Sequence, residues 1–496
     1  MSFPPSRTES PEERRQRRGR LPQDPKTIHF IAVCGTGMGA LACMLASAGR
    51  RVTGSDQAIY PPMSTQLLRC GIGFMKGYRA ENLRGNSDGP PDLVVVGNAM
   101  SRGNPEVEAL LESGIPYVSM PEALRLLFLE GKHSLVVAGT HGKTTTTSIA
   151  AWTLLHAGRD PSLLVGGVAR DFGGGFRVGG GDVFVIEGDE YDTAFFDKEP
   201  KFLHYAPRTA ILTSLEFDHA DIYRDLDHVR EAFRKFIALI PPEGFLAVCS
   251  DDPRALDVSR GARCRSVTYG TGDEASLRGH VSAIEAEGTR FEVTRAGEAL
   301  GSFTVPLAGA HNVRNALGAI AVCLDLGLEV DTIREALARF GGVARRQEIR
   351  GEAVGVLVID DFAHHPTALE ETIRAMKARY PGRRLWAIFE PRSNTSRRNI
   401  HQKAYVQALE GADVAIIAGV DNPEKIPRSE RLSPESVASE LRDRGRNGRF
   451  IARVDDIVAF AADNARPGDV LLVMSNGSFG GIHQKLLDAL TASAPS

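Results

Sequence analysis

The stretch Ala138-Gly139-Thr140-His141-Gly142-Lys143-Thr144-Thr145 decides how the middle of this chain folds. It follows the apolar run 134–137, which is typical of a buried strand, and precedes residues 148–155, whose pattern predicts an amphipathic helix. Glycines in such a turn let backbone N–H groups surround phosphate oxygens, and the helix N-terminus adds about half a positive charge. Lys143 then reaches the outer phosphates, and the Thr144 hydroxyl binds Mg²⁺. We predict a phosphate-binding loop, shortened because Val137 stands where its first glycine is expected.

Length and composition predict a protein of several globular domains. A chain of 496 residues is too long for one core. The formal net charge of −3 gives no general attraction to nucleic acid or to anionic membranes. No apolar run approaches the ~20 residues of a membrane span. The six cysteines are scattered, which indicates reduced thiols in a cytoplasmic protein. We expect a monomer or a weak homodimer.

The order of apolar and polar segments predicts an α/β fold. Residues 1–26 carry Arg14-Arg15-Gln16-Arg17-Arg18 with no apolar segment behind them, so we expect a disordered basic tail and no secretory signal. Three blocks of alternating strands and helices follow, at 27–131, 132–342 and 343–496, which indicates parallel, doubly wound sheets. In the second block we expect antiparallel strands over 245–308 and a mobile glycine-rich loop over 172–181.

The first block has a glycine turn after its first strand. Gly35, Gly37 and Gly39 lie there, and the acidic residue Asp56 ends the next strand. The pattern is similar to a dinucleotide fingerprint, although its third glycine comes one residue early. Its physical meaning is a pyrophosphate bound at a helix N-terminus, which NAD, FAD or a UDP-sugar would satisfy.

Two acidic clusters follow strands of the second block. The segment 187–192 places four carboxylates within six residues, which is costly without a nearby cation. Oxygen ligands of this kind suit Mg²⁺, although a solvated acidic turn would also explain them. Asp218 and His219 follow another strand. Because parallel strands end at one edge of a sheet, both clusters are predicted beside the phosphate loop.

Further polar clusters follow later elements. They are His311, Asn312 and Asn315 at a helix start, Arg345-Arg346 near a block boundary, Asp360-Asp361 with His364-His365, and Arg392, Asn394 and Arg397. The asparagines suit contact with a base or a helix cap. Arginine suits a transferring phosphoryl group or the carboxylates of a peptide.

Together and in this order, these motifs resemble the Mur ligase family, the ATP-dependent amide-forming enzymes of peptidoglycan synthesis. The resemblance covers residues 27–490. It implies a Rossmann-like N-terminal domain (27–131) that binds UDP-N-acetylmuramate and a P-loop-type central domain (132–342) that binds ATP. A Rossmann-like C-terminal domain (343–496) would bind the peptide and close over both substrates.

The resemblance also implies roles for individual residues. The ATP site would comprise Gly139, Thr140, His141, Gly142, Lys143, Thr144, Thr145, His311, Asn312, Asn315, Arg346 and Asp361. Mg²⁺ would be held by Thr144 and Glu187, and His219 would hold a second Mg²⁺. The UDP-sugar site would comprise Gly35, Thr36, Gly37, Met38, Gly39, Ser55, Asp56 and Asn98. Lys143, Glu187, His219 and Arg346 would be catalytic, with His364 or His365 positioning or deprotonating the amine. We assign Arg392, Asn394 and Arg397 to the peptide carboxylates.

Within the family, residues 389–395 and 474–485 resemble the recycling branch. That branch joins UDP-N-acetylmuramate to the murein tripeptide L-Ala-γ-D-Glu-meso-diaminopimelate through an acyl phosphate. The nearest alternative is the ligase that adds free L-alanine. A remote one is an NAD-dependent dehydrogenase using the first block, which leaves Lys143 and the acidic clusters unexplained. A third is a nucleotide-binding regulatory protein without ligase activity.

Overall fold

Three large sheets follow one another along the chain. The structure is a computed structural model, and it describes residues 9–61, 63–85, 89–220 and 222–492. Each sheet is built mainly from strands that alternate with helices, which confirms the predicted α/β class and the Rossmann-like character of the first and last domains. Among the described residues, no helix is both long and apolar enough to cross a bilayer.

The first sheet has five parallel strands in the order β3-β2-β1-β4-β5. The strands are β1 (Thr27–Ile31), β2 (Arg51–Asp56), β3 (Gly73–Lys76), β4 (Leu93–Val96) and β5 (Tyr117–Ser119). The helices are α1 (Pro11–Arg18), α2 (Thr36–Ser47), α3 (Met63–Arg69), α4 (Pro105–Ser113) and α5 (Met120–Leu124). The strand order reverses on either side of β1, so the glycine turn after β1 lies at a topological switch point, where such sheets bind ligands.

The central sheet has ten strands in the order β17-β16-β15-β14-β13-β12-β6-β9-β7-β8. They are β6 (His133–Ala138), β7 (Ser162–Ala169), β8 (Gly174–Arg177), β9 (Val183–Gly188), β12 (Thr209–Leu212), β13 (Phe245–Cys249), β14 (Arg265–Gly270), β15 (Leu277–Glu285), β16 (Gly288–Arg295) and β17 (Glu298–Val305). A separate hairpin pairs β10 (Asp192–Ala194) with β11 (Asp197–Pro200). The helices are α6 (Lys143–His156), α7 (Leu226–Ala238), α8 (Pro253–Ser259), α9 (Ala310–Asp325) and α10 (Val330–Ala338).

The last sheet has six strands in the order β18-β19-β23-β20-β21-β22, and only the β18–β19 pair is antiparallel. The strands are β18 (Glu348–Ala353), β19 (Val356–Asp361), β20 (Leu385–Phe389), β21 (Val414–Ile417), β22 (Gly448–Phe450) and β23 (Val470–Met474). The helices are α11 (Pro366–Arg379), α12 (Gln402–Leu409), α13 (Pro434–Asp443), α14 (Val454–Asn464) and α15 (Ile482–Ala492).

Three expectations about local structure need correction. Within residues 245–308 only β15–β17 are antiparallel, as predicted, whereas β13 and β14 are parallel to their neighbours. The glycine-rich segment 172–181 contains β8, which pairs antiparallel with β7. Part of the expected disordered tail, Pro11–Arg18, forms α1, because its arginines meet acidic side chains of the folded domains. Residues 1–8 of that tail lie outside the described residues.

The strands that carry the functional loops are buried along their whole length. β4, β6, β12, β19, β20 and β23 consist almost entirely of buried residues, as expected for parallel strands covered by helices on both faces. Polar side chains therefore collect just beyond the carboxyl ends of these strands, where the backbone emerges from the core.

Glu106 organises the interior of the first domain. Its side chain is 0% exposed. One carboxylate oxygen lies 2.8 Å from Nε2 of His29 and accepts the hydroxyl of Ser55 at 3.0 Å. The other accepts the side-chain amide of Asn82 at 2.9 Å and the backbone N–H of Arg79. This network ties β1 and β2 to α4 beneath the glycine turn.

Replacing Glu106 by alanine should destabilise the first domain strongly. The substitution leaves several buried donors without an acceptor, and we expect a loss of about 3 kcal/mol in its free energy of unfolding. Hydrogen exchange of the β1 and β4 amides measures this loss locally. Glu112→Ala, at an exposed position of the same helix, should change it by less than about 0.5 kcal/mol. Equal protection in both variants would show that the network contributes little.

Candidate functional site

The phosphate loop connects β6 to α6 in a conformation that requires glycine. Gly139 has φ +139° and Gly142 has φ +78°. A Cβ atom on Gly139 would lie 2.1 Å from the Thr213 hydroxyl, and one on Gly142 would lie 2.2 Å from Oδ1 of Asn315. Side chains at either position would therefore collide with the sheet or with α9. The loop predicted from the sequence is present, and it opens α6 directly at Lys143.

Lys143 is a buried cation surrounded by carboxylates. Its ammonium donates to the carbonyl oxygen of Gly139 at 2.7 Å and to Oε2 of Glu190 at 2.6 Å. Burial opposes its charge, but Glu190, Asp189 and Glu187 outweigh that effect and raise its pKa. Lys143 correspondingly holds the pKa of Glu190 down at about 2 against burial. Glu190 belongs to the acidic cluster predicted from the sequence, but it was not among the assigned site residues.

Thr144 and Glu187 form an oxygen-rich corner beside Lys143. The Thr144 hydroxyl donates to Oε1 of Glu187 at 2.9 Å, and Oε2 of Glu187 accepts the backbone N–H of Gly166 at 2.7 Å. Burial and the neighbouring Asp189 raise the pKa of Glu187. Burial disfavours the charge of the Glu187 carboxylate, and the Thr144 hydroxyl lies beside it. This donor set suits Mg²⁺, because a hard dication prefers oxygen ligands and would offset the acidic charge.

His219 completes this corner from the end of β12. Its backbone has φ +53°, and its Nε2 lies 3.5 Å from Oε1 of Glu190. Burial opposes the imidazolium form, but Glu190 and Asp218 outweigh it and raise the pKa of His219 to about 9. The sequence predicted that three strand ends would meet. They do converge in the structure, and they carry Lys143-Thr144, Glu187 and His219.

The C-terminal domain contributes Arg346 to the same site. One Nη atom of Arg346 lies 3.4 Å from the Thr144 hydroxyl, and its guanidinium lies 4.9 Å from the centre of the Phe362 ring. Burial lowers its pKa even though Asp361 and Glu187 favour the charge. A partly buried guanidinium with incomplete ion pairing, next to a phosphate loop, is placed to bind an anion.

The predicted base-binding residues form one wall of the site. Burial lowers the pKa of His311 to about 4, so the ring is neutral at physiological pH. The Asn312 amide donates to the carbonyl of Ala308, and Asn315 donates to Oδ1 of Asn312 at 3.1 Å. Both asparagines thus shape the start of α9. Asp361 accepts the backbone N–H groups of Gln347 and Ala363, which orients its carboxylate.

A cleft of about 1100 Å³ joins these groups. The predicted residues that line it are Thr36, Thr140, His141, Gly142, Lys143, Thr144, Thr145, Glu187, His219, His311, Asn312, Asn315, Arg346, Asp361, His364, His365, Arg392 and Asn394. Thr36 of α2 brings the first domain to the edge of the cleft. The volume of the cleft is sufficient for a nucleotide and part of a second substrate.

The two histidines before α11 differ in chemistry. Nδ1 of His364 lies 3.1 Å from the carbonyl oxygen of Phe362, so that nitrogen donates and Nε2 carries the lone pair. That Nε2 lies 3.8 Å from Oδ2 of Asp218. Burial and the neighbouring His141 lower the pKa of His365 to about 3. This lowered pKa makes His365 a weaker base than an ordinary imidazole, so of the two histidines we favour His364 for the proton-accepting role.

The predicted peptide-binding arginines are not equivalent. Arg392 and Asn394 line the cleft, whereas Arg397 does not. Arg397 instead donates to Oδ1 of Asn394 at 2.5 Å and to the carbonyl of Asp421 at 3.3 Å. It therefore orients the Asn394 side chain without lining the cleft itself. The sequence analysis missed Asn476, whose side-chain oxygen is buried at the cleft without a hydrogen-bond partner among the described residues.

Two residues predicted to bind the sugar nucleotide have structural partners. Ser55 is wholly buried and donates to Glu106, so its side chain does not face a ligand. Asp56 accepts the backbone N–H groups of Cys34 and Ala58, both at 2.9 Å, and so fixes the glycine turn. Asn98 follows β4 and is exposed. The remaining predicted residues, Gly35, Thr36, Gly37, Met38 and Gly39, form the turn and the first residues of α2.

Two further residues that were not predicted hold the phosphate loop in place. Glu216 accepts from Nε2 of His141 at 2.9 Å and from the hydroxyl of Thr367 at 2.8 Å, which links the loop to α11. The Ser214 hydroxyl accepts the backbone N–H of His141 at 3.0 Å. The sequence signal for both was their position after β12, within the motif that ends at Asp218-His219.

Comparison with known proteins identifies related chains over nearly the whole length. A ligase from Escherichia coli (strain K12), named UDP-N-acetylmuramate--L-alanyl-gamma-D-glutamyl-meso-2,6-diaminoheptandioate ligase, is 42% identical over 470 residues, covering 94% of this chain and 99% of that protein. A UDP-N-acetylmuramate--L-alanine ligase from Desulfitobacterium hafniense is 33% identical, covering 93% and 100%.

Solved structures show the same relationship. A murein peptide ligase from Psychrobacter arcticus matches with a TM-score of 0.69 and 38% identity, covering 95% of this chain and 99% of that one. A UDP-N-acetylmuramate-alanine ligase from Thermotoga maritima matches with a TM-score of 0.76 and 25% identity, covering 95% and 100%.

Family models match the three parts of the chain separately. Residues 27–131 match the Mur ligase family catalytic domain, residues 137–323 the Mur ligase middle domain, and residues 345–477 the Mur ligase glutamate ligase domain. Together with the identity to the Escherichia coli protein, these matches show that the chain belongs to the Mur ligase family.

Proposed function

We propose that the protein joins the carboxylate of UDP-N-acetylmuramate to the L-alanyl amine of L-Ala-γ-D-Glu-meso-diaminopimelate, with ATP cleaved to ADP and phosphate. The observation that carries this proposal is the convergence of Lys143, Thr144, Glu187 and Arg346 in one cleft that Arg392 and Asn394 also line. The first group suits a triphosphate, and the second suits a substrate with free carboxylates. The free thiols of all six cysteines suit a cytoplasmic site of action. We expect a monomer or a weak homodimer.

The identity of the relatives favours the tripeptide as substrate. The tripeptide-adding relatives are 42% and 39% identical to this chain, against 33% for the alanine ligase from Desulfitobacterium hafniense. The TM-scores order the two structures the other way. A TM-score depends on how three domains are arranged as well as on how each folds, whereas substrate choice depends on side chains. We therefore give the sequence identity more weight.

The first step is phosphoryl transfer to a carboxylate. A carboxylate oxygen of UDP-N-acetylmuramate attacks the γ-phosphorus of ATP, the bond to the β–γ bridging oxygen breaks, and ADP leaves. Lys143 and Arg346 approach the transferring group from different domains and stabilise its negative charge. Binding of the triphosphate would replace Glu190 as the partner of Lys143. The catalysis required of the protein is therefore mainly positioning and charge stabilisation.

Mg²⁺ would be held by the Thr144 hydroxyl and Glu187, which contact each other, and His219, beside Glu190, would hold a second Mg²⁺. The ions would neutralise charge on the phosphate oxygens and align them for transfer. His219 would have to be neutral to act as a ligand, and Glu190 favours its protonated form when no cation is bound.

The second step forms the amide. The neutral L-alanyl amine attacks the acyl carbon, a C–N bond forms, and phosphate leaves with the former carboxylate oxygen. The amine proton is lost to a base, and we assign this role to His364, because its Nε2 lone pair faces the cleft beside Asp218. Arg392 and Asn394 would bind the carboxylates of the peptide and so orient its amine.

Turnover with different amine substrates tests the proposal. With Mg-ATP and UDP-N-acetylmuramate, the tripeptide should support ADP release at least about tenfold faster, in kcat/KM, than free L-alanine, because the second substrate is held by contacts beyond its amine. The reverse preference would assign the protein to the alanine-adding reaction. No turnover with either amine, in folded protein that binds ATP, would contradict a ligase function.

The charge of Arg346 should act mainly in the transition state. Arg346→Ala should lower kcat by about 100- to 1000-fold, as the loss of one donor to a developing anion does in other enzymes. The KM for ATP should change much less, because Lys143 and the loop remain. The matched control is Arg350→Ala, on the exposed side of β18. Rapid-quench measurement of ADP formation separates the two effects, and an unchanged kcat would remove Arg346 from the mechanism.

A further inference from the structure

The arginine-rich segment before the first strand is built into the folded protein. Helix α1 lies upstream of the region that matches the family models, which begins at residue 27. The proposed chemistry assigns it no role. It nevertheless lies where the first domain meets the central domain, and it contacts both.

Arg17 is the centre of these contacts. It is only 9% exposed, although arginine is rarely buried without partners. Its guanidinium donates to the carbonyl of Tyr117 and to Oε1 of Glu122, both at 3.0 Å, and these residues belong to the first domain. It also lies 4.8 Å from the centre of the Phe196 ring, which belongs to the central domain. One side chain thus joins two domains.

Other contacts of the segment reinforce the bridge. The backbone N–H of Glu9 donates to the carbonyl of Phe196 at 3.1 Å, and the Glu9 carboxylate accepts from Arg17 at 2.9 Å. Arg14 donates to Asp197 and Glu199, both on β11. Burial by itself would raise the pKa of Glu122. The neighbouring Arg17 outweighs burial and lowers this pKa to about 2, so Glu122 is ionised throughout the physiological range.

Both ends of the bridge lie close to the reaction site. Glu122 caps α5 through Ser119, and Met120 of the same helix packs over Gly37 of the glycine turn. On the other side, the β10–β11 hairpin follows directly after the segment that carries Glu187 and Glu190. A displacement of either end would therefore move a substrate-binding element.

We propose that residues 9–18 form an interdomain clasp in which Arg17 is a positioning residue that fixes the UDP-sugar-binding domain against the phosphate site. The inference rests on the proposed function for the identity of the substrate that is positioned. Opening the clasp misaligns the muramyl carboxylate with the γ-phosphate and leaves the central domain able to bind ATP.

Arg17→Ala tests the clasp in the full-length protein. The KM for UDP-N-acetylmuramate should rise about tenfold or more and kcat should fall, because small displacements of bound substrates are costly. The Kd for Mg-ATP should stay within about twofold, because the contacts of Arg17 are with Glu122, Tyr117 and Phe196 and not with the residues assigned to ATP. Amide hydrogen exchange should accelerate in residues 117–124 and 192–200. Arg20→Ala, exposed and two residues beyond α1, is the matched control and should change none of these quantities.

Arg14→Ala provides a milder second variant, because its partners lie on the central hairpin only and its side chain is partly exposed. Its effects on KM and on amide exchange should be smaller than those of Arg17→Ala and of the same sign. Arg14→Ala therefore still tests the clasp if Arg17→Ala fails to fold. If Arg17→Ala and Arg14→Ala had the same amide exchange and the same KM for UDP-N-acetylmuramate as Arg20→Ala, the clasp would be overturned. Loss of Mg-ATP affinity together with faster exchange throughout the central sheet would also overturn it. If the unaltered protein showed no ligase turnover, the proposed function would fail, and the exchange measurement alone would decide on the clasp.

Discussion

The reaction site depends on one buried positive charge, the ammonium of Lys143, and on the carboxylates that neutralise it. A cation that loses its water must be paired, and Lys143 is paired with Glu190 and with the carbonyl oxygen of Gly139. The pairing follows from the sheet. β6 and β9 are adjacent and parallel, and Val137 lies opposite Glu187 in their register. The phosphate loop and the acidic cluster are therefore neighbours by topology.

This arrangement also explains why the site needs two domains. The central domain supplies Lys143, Thr144 and Glu187, which can hold a triphosphate and a cation. The additional positive charge, Arg346, comes from the C-terminal domain and reaches Thr144 across the cleft. In the proposed reaction, closure of the two domains would assemble the charge that stabilises phosphoryl transfer and would exclude water that hydrolyses an acyl phosphate. Glu216 links the same two domains through His141 and Thr367.

The sequence was sufficient for features that depend on local pattern. Glycine spacing, a strand before it and a helix after it predicted the phosphate loop, and apolar runs predicted the parallel strands. Features that depend on distant partners were not predictable. Ser55 appeared to be a ligand-binding residue next to Asp56, but its side chain meets Glu106, 51 positions away. The arginine-rich tail looked solvated, because its partner Glu122 is 105 positions distant from Arg17. The sequence could not show whether Glu187 or Glu190 pairs with Lys143, because both are glutamates of the same acidic segment. The fold pairs Glu190 with Lys143.

The central claim is that this site transfers the γ-phosphoryl group of ATP to a carboxylate before the amide forms. The direct measurement uses UDP-N-acetylmuramate labelled with ¹⁸O in its lactyl carboxylate, together with Mg-ATP and the tripeptide. The account predicts that the phosphate released carries one ¹⁸O atom for each amide formed, because the carboxylate oxygen leaves with phosphorus. Amide formation accompanied by unlabelled phosphate would contradict it.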